Sequence, residues 1–309
     1  MIHIIGGAKT GVNLFLFLKT VNVPVELYFF QGEYAEKKRL GKRFLDTWPG
    51  RGKINVGDKT IVSSESGFAR LPEEEKDVFR IHYYLRDKQN LVEIAQRIGA
   101  LHIQEYHVAE IVYPVALKPK ESAAGKVPFK FKKVNNKEEL SRINTILEHC
   151  LIQPYLSDNF YNQVAIAGYF DGNEASLVAV QQKNHYPKGI SAYVIDQTSI
   201  FQPAIAKIAS FLNEIGYRGF IEFEFKQNIS TLELFIMDIN PRPWGWFYYY
   251  LDGTKNFNDV IQKGCPLEVD LKPAWVNPLR LLAANIKGNR AAPSIRDFYQ
   301  GNICYEPLF

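Results

Sequence analysis

Cysteine is scarce in this chain of 309 residues: Cys150, Cys265 and Cys304 lie far apart, with no CxxC pair. That spacing signals neither a structural zinc site nor a disulfide framework, and it makes a reducing cytoplasm the default compartment. Long apolar runs are missing too. The stretch Val12 to Leu18 is bounded by Lys9 and Lys19, has no basic leader before it, and is too short to span a bilayer, so it reads as a buried helix segment. Charge of one sign is not in excess: 37 basic residues face 33 acidic ones, and a formal charge of +4 is too small for non-specific nucleic-acid binding. With the basic residues from Lys118 to Lys133 set aside, the rest is nearly neutral, which suits small anionic ligands better. Repeats and low-complexity tracts are absent, which excludes solenoids and long disordered tails. His3, His82, His102, His107, His149 and His185 show no metal-ligand spacing and no nucleophile partner, so each reads as structural.

Two nucleotide motifs are also missing. A P-loop needs glycine immediately before its lysine, and Ala8 stands before Lys9-Thr10. A dinucleotide fingerprint needs its middle glycine where Ala8 stands, although Gly6 and Gly11 are correctly spaced. Gly6-Gly7 is then a bare strand-to-helix turn.

What is present is an apolar fraction of 46%, ample for a core, in a chain long enough for two or three packed units. Ile2 to Ile5, Val12 to Leu18 and Val23 to Phe30 read as strand, helix, strand. From Gly41 to Arg70 the signal is thin, with loops and minor strands expected. Asp87 can cap a helix carrying Leu91, Ile94, Ala95 and Ile98 and ending at Gly99. Strands are expected over Ile111 to Pro119 and Val127 to Val134 around a small-residue loop, then a helix over Asn136 to Glu148 and extended chain at Cys150 to Gln153. A hairpin turning at Asp171-Gly172 and a helix from Gln202 to about Ile215 follow.

The next segment carries the chemistry. Phe220 to Phe225 alternates strictly, which puts Glu222 and Glu224 on one strand face; Leu232 to Asn240 forms a second strand with Asp238 and Asn240 on one face. In an antiparallel hairpin Glu224 lies opposite Asp238, and two carboxylates with an amide oxygen converge as hard ligands for Mg²⁺. Arg242 adds a fixed cation. A solvated face is the commoner fate of strand carboxylates, and the residue pattern alone leaves both readings open.

Gly219-Phe220-Ile221-Glu222-Phe223-Glu224-Phe225-Lys226 followed by Met237-Asp238-Ile239-Asn240-Pro241-Arg242-Pro243-Trp244-Gly245 resembles the metal-binding hairpin of the ATP-grasp superfamily, in its carboxylate-amine ligase and carbamoyl-phosphate-synthase-like members. The resemblance implies Glu224, Asp238 and Asn240 as magnesium ligands, with Glu222 able to substitute for Glu224, and Arg242 as a phosphate or acyl contact. Asp238 stands where glutamate is usual. Upstream, Lys88 and Lys118 resemble the two phosphate-holding lysines, and Ser122 to Lys126, with Ser122 and Gly125, resembles the mobile lid. Gln153-Pro154-Tyr155-Leu156 resembles the adenine hinge, with Pro154 at a commonly acidic position. Lys183 resembles a basic residue crossing the phosphates, and Tyr186 to Ser191 the loop after it. Trp246, Tyr249 and Tyr250, within the aromatic run Trp244 to Tyr250, share a helix face, and core packing is the favoured reading.

The implied architecture is α+β: an ATP-grasp fold with a small N-terminal α/β, Rossmann-like pre-ATP-grasp domain over residues 1–86. The ATP-grasp domain then covers 87–309, with a lid subdomain at about 110–152 and a metal-binding core at about 153–309. The implied function is a cytoplasmic ligase using ATP and Mg²⁺ to activate a small carboxylic acid as an acyl phosphate and join it to an amine, amino acids and peptides being candidate substrates. No nucleic acid or membrane is involved. A carboxylase or kinase on the same scaffold, and a nucleotide sensor without turnover, are the alternatives.

Overall fold

The structure is a computed structural model that describes residues 1–38, 43–44, 59–120, 127–129, 131–185, 190–255, 268–287 and 303–306. Strands β1 (Ile2–Ile5), β2 (Val25–Phe29), β3 (Arg43–Phe44) and β4 (Lys59–Val62) form a parallel sheet in the order β3-β2-β1-β4. Parallel strands covered on both faces need near-continuous apolar sequence, which Ile-His-Ile-Ile and Val-Glu-Leu-Tyr-Phe provide. The helix Lys9–Thr20 crosses from β1 to β2 and buries Val12, Leu14, Phe15 and Leu18. At the turn before it Gly6 has φ +104°, and a Cβ there would stand 2.2 Å from Ser64 Oγ, so glycine is required. The Glu33 carboxylate accepts from the Gly7 amide at 2.6 Å and the Phe30 amide at 2.9 Å. The chain's own anion thus fills this turn.

In the thin region between Gly41 and Arg70, β4 is a minor strand as expected, and the helix Glu65–Ala69, whose Ser64 side chain accepts from the Gly67 amide, is additional order. Helices Glu73–Lys76 and Arg80–Arg86 follow. Each is at most two turns long, too short for an apolar period to register in sequence. Asp87 caps a 3₁₀ turn, and the helix Leu91–Ile98 ends at Gly99 in the left-handed conformation, as its sequence requires.

A second sheet, antiparallel, has the order β7-β6-β8, from β6 (Val115–Pro119), β7 (Lys132–Val134) and β8 (Cys150–Pro154). β6 and β7 are shorter than expected. The helix expected over 136–148 divides into an α-helix, Lys137–Ser141, and a 3₁₀ segment, Asn144–His149. Asn144, Thr145 and β-branched Ile143 and Ile146 are weak helix formers.

The third sheet has eight strands in the order β15-β14-β11-β10-β9-β12-β13-β5. Its members are β5 (Leu101–His102), β9 (Tyr161–Phe170), β10 (Ala175–His185), β11 (Ser191–Asp196), β12 (Gly219–Asn228), β13 (Leu234–Asn240), β14 (Ala274–Val276) and β15 (Ile303–Tyr305). One face packs Ile221, Phe223 and Phe225 against the helices Leu91–Ile98 and Gln202–Glu214. The other packs Ala165, Ala167, Val178, Val180 and Phe220 with Trp244, Trp246 and the helix Lys9–Thr20. Cys150 and Cys304 are buried free thiols; Cys265 lies outside the described residues. Among the described residues no helix is long and apolar enough to cross a membrane.

Burial pushes the pKa of both His82 and His185 from 6.5 down to about 4, with the charge of Arg86 adding at His82 and that of Lys226 at His185. The His82 ring is enclosed by Phe68, Phe79 and Tyr217 at 5.8, 5.2 and 5.0 Å. The fold holds these rings neutral, so their stabilisation is present above pH 6.5 and is lost as pH falls towards about 4. Each contributes at most about 3 kcal/mol to that loss. Thermal unfolding is expected to show stability falling across this window and a shallower slope in His82→Leu; equal slopes would refute the assignment.

Candidate active site

On β12 the side chains Phe220, Glu222, Glu224 and Lys226 share a face, so one strand passes from apolar core to ionic cluster in steps of two. β13 runs antiparallel with Glu222 opposite Asn240 and Glu224 opposite Asp238, as the hairpin reading expects. The register then shifts: Phe225 pairs with Ile236, and Met237 is the extra residue of a bulge. Its carbonyl accepts from Lys118 Nζ at 3.3 Å.

Asn240 Nδ2 donates to Glu222 Oε2 at 3.1 Å and to Glu224 Oε1 at 3.2 Å, and Trp246 Nε1 donates to Glu222 Oε1 at 3.1 Å. The expected convergence of an amide oxygen with the carboxylates is therefore reversed. One buried and one half-buried carboxyl need donors, the amide NH₂ supplies two, and Oδ1 accepts instead from Arg242 Nη2 at 2.9 Å. Burial, then the charge of Glu224, pushes Glu222 well above the usual carboxylate range. Burial, then Asp238, raises Glu224, which Lys118 and Arg242 oppose. Asp238 stands at the mouth of the cluster, its side chain 37% exposed and 3.8 Å from Lys88 Nζ.

The cations arrive from separate elements. Lys88 lies in the 3₁₀ turn capped by Asp87, Lys118 on β6 of the three-stranded sheet, and Arg242 just past β13. Burial pulls the Lys118 pKa down while Asp238 and Glu224 hold its charge. Replacing Lys118 by methionine keeps the buried stem and removes the charge, so on the ATP-site expectation from the sequence the KM for ATP should rise by roughly ten- to a hundred-fold. An unchanged KM in steady-state assays would remove Lys118 from the site.

Other expected members are placed differently. Lys183 is exposed on β10 between buried Gln182 and Asn184, at a shift in the β10–β11 register, and has no ionic partner among the described residues. Gln153 Nε2 donates to the Ile103 carbonyl at 3.3 Å, turning that side chain into the fold. Pro154 closes β8 opposite Val115, and the Tyr155 amide donates to the Pro114 carbonyl at 3.1 Å. Leu156 follows, half-buried. Ser122 and Gly125 of the lid, and residues 186–189 of the loop after Lys183, lie outside the described residues.

Sequence reasoning missed Lys226, Asp158 and Glu65. Lys226 is buried on the Glu222–Glu224 face and bonds Asp158 Oδ1 at 2.5 Å; the same alternation that singles out the glutamates could have found it. Glu65, at the start of the helix Glu65–Ala69, accepts from Arg242 Nη2 at 2.7 Å and Arg86 Nη2 at 3.1 Å. No local signal points to that pairing.

No protein-family model matches the sequence, and no curated protein matches it. Solved structures do. An ADP complex of N5-carboxyaminoimidazole ribonucleotide synthetase is similar at TM-score 0.70 and 16% identity, over 97% of this chain and 84% of that one. L-amino acid ligase from Bacillus licheniformis is similar at TM-score 0.59 and 13% identity, over 88% and 78%. Phosphoribosylamine–glycine ligase from Thermotoga maritima is similar at TM-score 0.63 and 13% identity, over 88% and 78%. The fold is ATP-grasp. Within this fold, Glu65 from just beyond β4 and Lys118 from β6 bring charged side chains from the parallel and three-stranded sheets to Arg242 and the Met237 carbonyl at the β12–β13 hairpin of the eight-stranded sheet.

Proposed function

We propose that this protein is an ATP-dependent ligase that activates a small carboxylic acid as an acyl phosphate and joins it to an amine, releasing ADP and phosphate. The observation that carries the reading is the meeting of Lys88, Lys118 and Arg242 around Glu224, Asp238 and Asn240 on an ATP-grasp fold. The solved relatives, synthetases and ligases, support it. We assign the unit up to residue 86 as the pre-ATP-grasp domain and 87–309 as the ATP-grasp domain.

The donors fit a hard divalent cation. Glu224 and Asp238 face one another, and burial with mutual repulsion raises the proton affinity of Glu224, a penalty that a bound cation relieves. Among the described residues no three acidic, histidine or cysteine side chains could hold a metal by themselves, so phosphate oxygens would complete the shell, as magnesium prefers. Glu224, Asp238 and, after its amide turns, Asn240 would hold it. Bound magnesium supplies charge neutralisation on the phosphates.

Lys88, Lys118 and Arg242 orient the triphosphate and the carboxylate so that a carboxylate oxygen attacks the γ-phosphorus and ADP leaves. The amine then adds to the acyl carbon and phosphate departs with the bonding pair. A side-chain nucleophile is not required. Release of ADP and phosphate measured with Mg-ATP and a panel of carboxylic acids and amines tests this. ATP binding without release for any pair would favour a sensor.

A further inference from the structure

The face of the eight-stranded sheet that carries Glu222 and Glu224 changes character one step further along β12. Glu224 pairs with Ala165, and Ala165 with Val180, so the acid stands at the end of an apolar row across β9 and β10. Two residues on, Lys226 pairs with Gln163 and Gln163 with Gln182, and residues two apart on a strand share a face, so this next row is polar from end to end. Gln182 is fixed there, its Oε1 accepting from Ser191 Oγ at 2.7 Å. Lys226 is the charged member of the row. Its side chain is 10% exposed, and its ammonium donates to Asp158 Oδ1, on a side chain 78% exposed that lies just beyond β8. An ammonium has three donors, and this oxygen takes one of them. A buried cation whose partner is itself solvated is poorly compensated.

The charge of Lys226 also reaches the phosphate lysines of the ligase reading. Burial pulls the Lys118 pKa down, and the charges of Lys88 and Lys226 both push it the same way. Lysines from a 3₁₀ turn, from β6 and from β12 are thus within range of one another beside Glu224 and Asp238. Repulsion among like charges is relieved by a polyanion placed between them.

We propose that Lys226 is a further binding cation of the nucleotide site, donating to phosphate oxygens, with Asp158 as its solvated counter-ion. This inference rests on the ligase reading and adds a residue to its nucleotide site.

The test is calorimetric titration of the full chain with Mg-ADP. Lys226→Met keeps the stem and removes the charge, so the Kd is expected to rise at least about tenfold. Asp158→Asn takes a negative charge away from the incoming phosphates and is expected to bind Mg-ADP at least as tightly as the unaltered protein. A bridge that only ties the segment after β8 to β12 would weaken binding in both variants alike. Weaker binding by Asp158→Asn therefore overturns the proposal, as does a smaller rise in Lys226→Met. Asp158 is exposed, so its variant carries the test alone if Lys226→Met does not fold. The unaltered protein separates the two levels: no Mg-ADP binding refutes the ligase reading, whereas binding with the wrong pattern in the variants refutes only the role of Lys226.

Discussion

Asp238→Ala is expected to lower kcat/KM for Mg-ATP turnover by about three orders of magnitude or more while leaving the fold intact. The side chain is 37% exposed, and its one carboxylate oxygen within reach of Lys88 also accepts from the Ile239 amide at 3.1 Å, so little packing goes with it. What goes is a carboxylate placed opposite Glu224 and facing Lys88, a proposed phosphate contact. Loss of a charged ligand at a metal and phosphoryl site removes several kcal/mol of transition-state stabilisation, and each 1.36 kcal/mol is about tenfold in rate. The isostere Asp238→Asn should move the magnesium midpoint upward before it lowers the maximal rate. Asn240→Ala is expected to be as inactive but less stable, because Glu222 and Glu224 each lose a donor and Arg242 loses an acceptor. Near-normal turnover in both alanine variants would show that the hairpin is not the phosphoryl-transfer site.

The hairpin was readable because strand alternation is short-range: Glu222, Glu224 and Lys226 fall on one face whatever the rest of the chain does, and Asp238 and Asn240 fall opposite through one polar loop. The helix Leu91–Ile98 was readable for a similar reason, a run of apolar positions closed by Gly99. The orientation of the Asn240 amide was not, since it depends on how many donors the buried Glu222 and half-buried Glu224 carboxyls demand in the fold. Lys183, singled out by resemblance and not by alternation, lies where the β10–β11 register shifts twice, between Gln182 and Asn184 and between Asn184 and His185, which no sequence pattern marks. Glu65 was beyond reach. It sits in a five-residue helix, its partners come from the end of the helix Arg80–Arg86 and from a loop far along the chain, and no periodic pattern links them.

Trp246→Ala is expected to produce the largest loss of stability, about 3–5 kcal/mol, read as a fall of roughly 10 °C in the thermal midpoint. The ring is fully buried, 5.1 Å from Trp244 and 6.3 Å from Tyr249, in the cluster that joins the helix Lys9–Thr20 to the eight-stranded sheet. Core packing is therefore the role of this aromatic run, and Tyr250 Oη adds to it by donating to the Ser176 carbonyl at 2.9 Å and accepting from the Tyr169 amide at 3.1 Å. Trp246 has a second role through Nε1, which donates to the buried Glu222 carboxylate and opposes the upward push on its pKa. Trp246→Phe separates the two. It keeps most of the apolar volume and removes the donor, so its stability cost should be smaller, about 1–3 kcal/mol. Glu222 would hold its proton to still higher pH, and the pH profile of Mg-dependent turnover should shift upward. A Phe variant with the full stability loss would mean that the indole hydrogen bond, not the packing, holds this region together. One with an unshifted pH profile would disconnect the aromatic core from the acid cluster.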